Sequence, residues 1–214
     1  MRRKINDYKL YVFDLDGTLY DQPGLRLQML TRLMGFYILH PFRAGELFIL
    51  QHFRKVKDSW TKNSSEDDII KQVAADKKTD EARVKSIVRR WIYDDPLEVI
   101  AKNKDTGLIG WMDLLRKSGK KVFILSDYPA ADKLKAMNVT VDGIYDPDDE
   151  RIDELKPSPK GLNVIMGDTG ILPEDILMIG DRMEKDGLCA EKAGIDHMIL
   201  PRKITDRNHE KLKC

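Results

Sequence analysis

Five short apolar runs, each closed by a polar or glycine-containing turn, constrain this chain more than any other feature. They are Leu10–Phe13, Val122–Leu125, Val141–Tyr145, Ile176–Ile179 and His197–Leu200. Runs of this length without polar alternation suit strands covered on both faces, as in a parallel sheet. Helical patterns separate the later runs. Leu108 to Lys117 is amphipathic and meets Ser118-Gly119, a C-cap signal. A helix over Pro129 to Met137 follows the second run. Ser158 and Pro159 read as N-cap and first-turn residue of a helix with Leu162, Ile165 and Met166 on one face. Lys185 to Ala193 follows the fourth run and stops at Gly194. Strands alternating with helices predict βαβ units and a doubly wound α/β fold.

Between Tyr20 and Asp95 this rhythm stops. Leu25, Met29, Leu33, Phe36 and Tyr37 recur at helical spacing up to Pro41, and Leu47, Leu50, Phe53 and Val56 predict a second helix. Ser65 with Asp68 has the form of a capping box opening a third helix, which carries Ile69, Ile70 and Val73. Val84, Ile87, Val88 and Trp91 predict a fourth. An all-helical insertion is therefore expected over residues 21–95, between segments 1–20 and 96–214 of an α/β core. Its Met and aromatic residues read as bundle core.

The 214 residues suffice for one domain with an insertion, and 34% charged with 42% hydrophobic residues fits a folded globular chain. A formal net charge of +1 gives no overall pull toward nucleic acid or membrane, and neither is expected as a partner. The Met-Arg-Arg-Lys start lacks the apolar region of a signal peptide, and no stretch approaches the roughly 18 apolar residues of a membrane span. Two cysteines, Cys189 and Cys214, do not make a disulfide framework. Cys189 is expected to be buried and Cys214 exposed, in a reducing, cytoplasmic setting.

Chemistry concentrates where the apolar runs end. Asp14-Leu15-Asp16-Gly17-Thr18 directly follows Leu10–Phe13. Carboxylates two residues apart share a face of a strand, and a turn at Gly17 lets both enter one crevice. Held close, they repel unless a cation or a proton intervenes, and a hard divalent ion with oxygen ligands, magnesium where phosphate is handled, is the matching partner. Ser126 follows the second run, Lys156 precedes Pro157, and Gly180-Asp181 follows the fourth run with Asp186 five residues on. Open α/β sheets place ligands at such C-terminal strand ends. Singly, each residue has an ordinary explanation as a cap, a turn residue or a solvated lysine; their joint order argues for a site.

These residues give the chain its resemblance to the haloacid dehalogenase superfamily, in the phosphatase-like branch. The first family motif, Asp-x-Asp-Gly-Thr, matches Asp14 to Thr18. The second, Ser or Thr, matches Ser126, with Asp127 in place of the commoner Asn. The third matches Lys156 before Pro157, and the fourth matches Gly180, Asp181 and Asp186, with Lys185 where Asn is frequent. The resemblance implies a Rossmann-like sheet of order 5-4-1-2-3 with a small helical cap after the first motif.

It also implies a mechanism and a set of roles. Asp14 attacks phosphorus and forms an aspartyl phosphate. Mg2+ is held by the Asp14 and Asp181 side chains and the Asp16 backbone carbonyl. Asp16 protonates the leaving oxygen and then deprotonates water. Lys156, Ser126, Asp127, Gly17 and Thr18 serve the phosphoryl group, with Thr18 also positioning Asp16, and Asp186 orients Lys156 or a metal-bound water. The substrate class is a small phosphorylated metabolite. The cap closes over the site, and Arg43, Arg54, Lys55, Lys57 and Lys62 make its first half basic, as substrate contacts or as a solvated face.

Four other readings compete. A dehalogenase does not need an acid two residues after its nucleophile, so Asp16 argues against one. A phosphonate hydrolase needs a Schiff-base lysine in the cap, and a sugar-phosphate mutase a glycine-containing cap loop that is not found here. A catalytically silent binding module of the same fold would be free to lose Asp14, Asp16, Ser126, Lys156 or Asp181.

Overall fold

The structure is a computed structural model that describes residues 3–59 and 66–212. Its centre is β1, Leu10–Phe13, every residue of which is buried. β1 pairs in parallel with β2 (Lys121–Leu125) on one side and β4 (Ile176–Gly180) on the other. β3 (Gly143–Tyr145) and β5 (Asp196–Ile199) form the edges, giving the order β3-β2-β1-β4-β5, all parallel. This is the expected 5-4-1-2-3 sheet. Its switch point lies at β1, where neighbouring connections diverge and leave a crevice at the strand ends.

The two edges differ from their apolar runs. β3 begins at Gly143 rather than Val141, because the Asp142 carboxylate accepts the Val122 N–H at 2.9 Å and ends the ladder there. Ile144 is exposed, so this run is not covered on both faces. β5 lies one residue earlier than its run, at Asp196–Ile199, with Asp196 accepting a hydrogen bond from Tyr8 Oη at 2.6 Å.

The helical insertion holds α1 (Gln22–Leu39), α2 (Glu46–Ser59), α3 (Glu66–Lys77), α4 (Glu81–Val88) and α5 (Asp95–Lys102). A π-helical turn, Arg89–Asp94, joins the last two into one run, and no separate fifth helix was expected. Pro96 has no N–H to give to the carbonyl four residues earlier, which accounts for the irregular turn just before it. Met29, Tyr37, Phe53, Val73, Val84 and Trp91 belong to one apolar cluster. Leu47, placed on the buried face by its spacing, is instead exposed, and Ile49 takes the inward position. Ser65, Lys62 and Cys214 lie outside the described residues; Asp68 falls in the first turn of α3.

Among the described residues, the sheet is flanked by α6 (Thr106–Lys117), α7 (Ala131–Met137), α8 (Lys160–Thr169) and α9 (Leu188–Ala193). Alternation along β1 sorts its side chains between two layers. Leu10 and Val12 join Leu162, Ile165 and Cys189 from α8 and α9. Tyr11 and Phe13 meet the Trp111 ring of α6 edge-on. α8 starts at Lys160, two residues past its expected cap. Ser158 Oγ meets the Lys160 N–H only at 3.4 Å and donates to Glu154, while the Pro159 carbonyl accepts the first helical bond. Part of the expected Lys185–Ala193 helix is likewise a π-helical turn, Met183–Gly187. The chain divides into two compact units, Met1–Gly24 with Ile100–Cys214, and Leu25–Val99.

Candidate active site

The α/β unit gathers its polar residues at the C-terminal ends of β1, β2 and β4. Asp14 continues β1 by one residue, its N–H bonded to the Ile179 carbonyl at 2.8 Å. Its carboxylate is fixed from two sides. Lys156 Nζ donates to Oδ1 at 2.5 Å and Thr18 Oγ1 donates to Oδ2 at 2.8 Å. Lys156 Nζ also donates to Asp186 Oδ1 at 2.7 Å and to the Leu125 carbonyl at 3.2 Å. Lys156, Asp14 and Asp186 are all buried, so the lysine is a fixed charge between two carboxylates.

Burial pushes the Asp14 carboxyl up to about 6 against the pull of Lys156, with Asp186 and Asp16 adding to the rise. Burial by itself would lower Lys156, but Asp14, Asp186 and Asp127 outweigh it and hold the ammonium above its ordinary range. Asp181 is raised as well, by burial and then by Asp186. A buried cluster of acids has this signature when its charge is incompletely balanced.

Two glycines let the loops close this tightly. Gly17 has φ 97°, a left-handed conformation, and a Cβ there would lie 2.7 Å from Asp181 Oδ2. At Gly180 a Cβ would sit 2.3 Å from the Asp186 carboxyl.

Asp16 is held differently. Its Oδ1 accepts hydrogen bonds from Lys133 Nζ at 2.6 Å and from Tyr20 Oη, while Oδ2 is buried with no hydrogen-bond partner among the described residues. Thr18, expected to position Asp16, instead donates to Asp14. The Asp127 carboxylate is occupied by the Lys156 N–H and Lys185 Nζ, both at 2.9 Å. Ser126 Oγ accepts the Tyr128 N–H at 3.1 Å, and the Ser126 N–H bonds to the Tyr145 carbonyl.

Sequence patterns did not point to Lys133, Tyr20 or Arg207. Arg207 donates to the carbonyls of Gly17 (2.8 Å) and Thr18 (2.6 Å), and to Asp105 Oδ2 at 2.9 Å. The C-terminal segment thus clamps the backbone of the first motif from behind. The signal available for Lys133 was its place one turn into the helix after Ser126; nothing local marks Arg207.

A divalent cation fits this donor set. One carboxylate oxygen from each of Asp14, Asp181 and Asp186 lies within 4.8 Å of the other two, and all three residues are buried. Asp181 Oδ1 has no hydrogen-bond partner among the described residues, with Arg182 Nε 3.8 Å away. An unsatisfied buried polar atom costs roughly 1–3 kcal/mol, and a charged carboxylate oxygen more, unless a cation serves it. Asp186 is already committed to Lys156 Nζ and, through Oδ2, to the Arg182 N–H at 3.1 Å.

In the helical unit, Arg43 Nε donates to Glu46 at 2.7 Å and Lys57 Nζ to Tyr93 Oη at 3.4 Å; Arg54 and Lys55 are exposed.

With this geometry in hand, known proteins place the chain. The model of the haloacid dehalogenase-like hydrolases matches residues 8–194. The chain belongs to that family and is a hydrolase of the haloacid dehalogenase superfamily. No curated protein matches it in sequence. Solved structures share its fold. One is the HAD-hydrolase YfnB from Bacillus subtilis bound to magnesium, with TM-score 0.60, 15% identity, 90% of this chain and 88% of that chain covered. Another is a 2-haloacid dehalogenase from Pseudomonas syringae pv. Tomato DC3000, with TM-score 0.64, 14% identity and coverage of 90% and 86%. A third is a predicted phosphoglycolate phosphatase from Haemophilus somnus 129pt, with TM-score 0.54, 19% identity and coverage of 91% and 85%. At these identities the likeness concerns the fold, which hosts more than one chemistry.

Proposed function

We propose that this hydrolase is a magnesium-dependent phosphatase that cleaves a small phosphate monoester through an aspartyl phosphate on Asp14. The observation that carries the choice is Asp16. One of its oxygens is anchored by Lys133 and Tyr20, and the other is buried with no hydrogen-bond partner among the described residues. A carboxyl so placed, two residues after the nucleophile, suits proton transfer to a leaving oxygen, which displacement of a halide does not require.

In this reading Lys156 and Thr18 aim the Asp14 carboxylate at phosphorus, and Lys156 offsets the charge that builds on the transferring group. Asp16 gives a proton to the leaving alcohol and then takes one from the water that hydrolyses the intermediate. Ser126 and the backbone around Gly17 and Thr18 donate to phosphoryl oxygens. Asp127 acts through Lys156, since its carboxylate accepts from that residue's N–H and could only repel a phosphate. Asp186 orients Lys156. Asp14, Asp181 and the Asp16 carbonyl would hold Mg2+, which when bound neutralises repulsion between Asp14 and the substrate phosphate. The helical insertion, expected over residues 21–95, serves as the cap that selects the substrate. A reducing, cytoplasmic setting belongs to the same reading.

The test is hydrolysis of an aryl phosphate by the purified chain with magnesium and with chelator, beside Asp14→Asn. Turnover that requires the metal and vanishes in the variant supports the proposal. Metal-independent release of halide from a 2-haloacid, without phosphate ester hydrolysis, would replace it with the dehalogenase reading.

A further inference from the structure

The outer face of the helical unit is apolar where a solvated helix would be charged. Along α1, Leu27, Leu30, Met34 and Ile38 fall at i, i+3, i+7 and i+11, a stripe that lies well away from the buried Met29 and borders the buried Tyr37. Each is more than half exposed, Ile38 at 75%. Just past the helix Phe42 is fully exposed, and Phe48 on α2 is 65% exposed. Single exposed apolar side chains are ordinary on a soluble protein; a run of them along one helix and its turn marks an interaction surface.

The segment that carries this face is predominantly basic, with Asp21 and Asp58 at its ends and Arg32 paired to Glu98 at 2.9 Å. From Gln22 to Lys57 the sequence holds six basic residues, Arg26, Arg32, Arg43, Arg54, Lys55 and Lys57, and a single acidic one, Glu46. Glu46 is buried and accepts from Arg43 and Tyr37, so its charge points inward. On α2, Phe48 and Lys55 lie on one line two turns apart, and Leu47 and Arg54 on another, all exposed. The whole-chain charge of +1 hides this segment because the acidic residues lie elsewhere.

We propose that this face docks on the surface of an anionic phospholipid membrane. The α1 stripe and Phe42 enter the boundary between headgroups and acyl chains, and Arg43, Arg54 and Lys55 meet the headgroup phosphates. A second copy of this chain fits the face less well, because a symmetric pairing would set basic residues against basic residues. The docking is peripheral, as no helix among the described residues is long and apolar enough to cross a membrane. It stands apart from the phosphatase reading and does not depend on it.

The full chain should be sedimented with vesicles of phosphatidylcholine mixed with phosphatidylglycerol, and with vesicles of phosphatidylcholine alone. Co-sedimentation with the mixed vesicles, much weaker on the neutral ones and reversed by salt, is the expected result. Ile38→Ser with Phe42→Ser should weaken partitioning roughly a hundred-fold. Arg54→Gln with Lys55→Gln should weaken it roughly thirty-fold. All four positions are exposed, and an unchanged circular-dichroism melt verifies that the variants are folded. Absence of binding by the folded chain overturns the proposal, as does binding that survives both double variants. Self-association in sedimentation velocity, abolished by the serine pair and unaccompanied by vesicle binding, assigns the face to a second copy and also overturns it.

Discussion

The two units of this chain bury different things. In the α/β unit the interior holds Asp14, Asp16, Asp105, Asp127, Lys156, Asp181, Asp186 and Arg207 behind the strand ends, all but Asp181 held by side-chain hydrogen bonds. Among the described residues of the helical unit, Glu46 is the one charged group buried. Its interior is otherwise an apolar cluster centred on Phe53, Val73, Val84 and Trp91. Buried charge is expensive and specifies geometry; buried hydrocarbon stabilises and tolerates change. A site that must hold reacting atoms to fractions of an ångström is built from the first, and the unit proposed to vary with substrate from the second.

The comparison can be broken most sharply at Asp16. Asp16→Asn should lower kcat by about 10²–10⁴-fold, with magnesium binding retained and a steeper loss for alkyl than for aryl leaving groups. Steady-state kinetics across a series of leaving groups checks this; an equal loss for all of them would remove Asp16 from the role of acid.

Next come two substitutions of similar cost and opposite cause. Arg207→Ala takes the buried guanidinium from Asp105, leaving it the Leu108 N–H and His209, and from the Gly17 and Thr18 carbonyls, and should cost about 3–5 kcal/mol in urea unfolding. Phe53→Ala leaves a cavity in the helical unit and should also cost about 3–5 kcal/mol. The distinguishing measurement is rescue. Phe53→Leu should restore most of the lost stability, whereas Arg207→Lys, which lacks the planar fork that reaches Pro201, Thr18, Gly17 and Asp105 together, should restore little.

Cys189 probes the α/β interior at lower stakes. Burial pushes its thiol up to about 12, so in the folded chain it carries roughly a thousand-fold less thiolate than a free cysteine. Peptide mapping after iodoacetamide treatment at mildly alkaline pH should find Cys189 unmodified until denaturant is added. The smallest effect is expected at Lys85–Asp67, an exposed pair at 3.2 Å in the helical unit. Lys85→Gln should leave the unfolding midpoint unchanged.

The sequence disclosed the two regions unequally. β1, β2 and β4 were legible because full burial imposes unbroken apolar runs, and the loops after them because Asp14, Asp16, Gly17 and Asp181, each ordinary alone, recur together at strand ends. The edge strands β3 and β5 shifted by one or two residues, since an edge needs only one covered face. Lys133, Tyr20 and Arg207 were not legible: Arg207 reaches the first motif from 189 residues away in sequence. In the insertion the periodicity gave the helices but misplaced Leu47, whose spacing fits a core that Ile49 fills. It also missed the continuous run through the π-helical turn, where a proline alters the backbone rather than the pattern. The excess of exposed apolar residues on α1 was invisible, because spacing cannot tell two apolar faces from one.

The central claim is the covalent step on Asp14. The direct measurement is acid quenching during turnover of a 32P-labelled phosphate ester, followed by peptide mapping. The account predicts label on the peptide containing Asp14, removed by hydroxylamine and absent from Asp14→Asn. Full turnover with no labelled peptide, or hydrolysis that persists in Asp14→Asn, would contradict it.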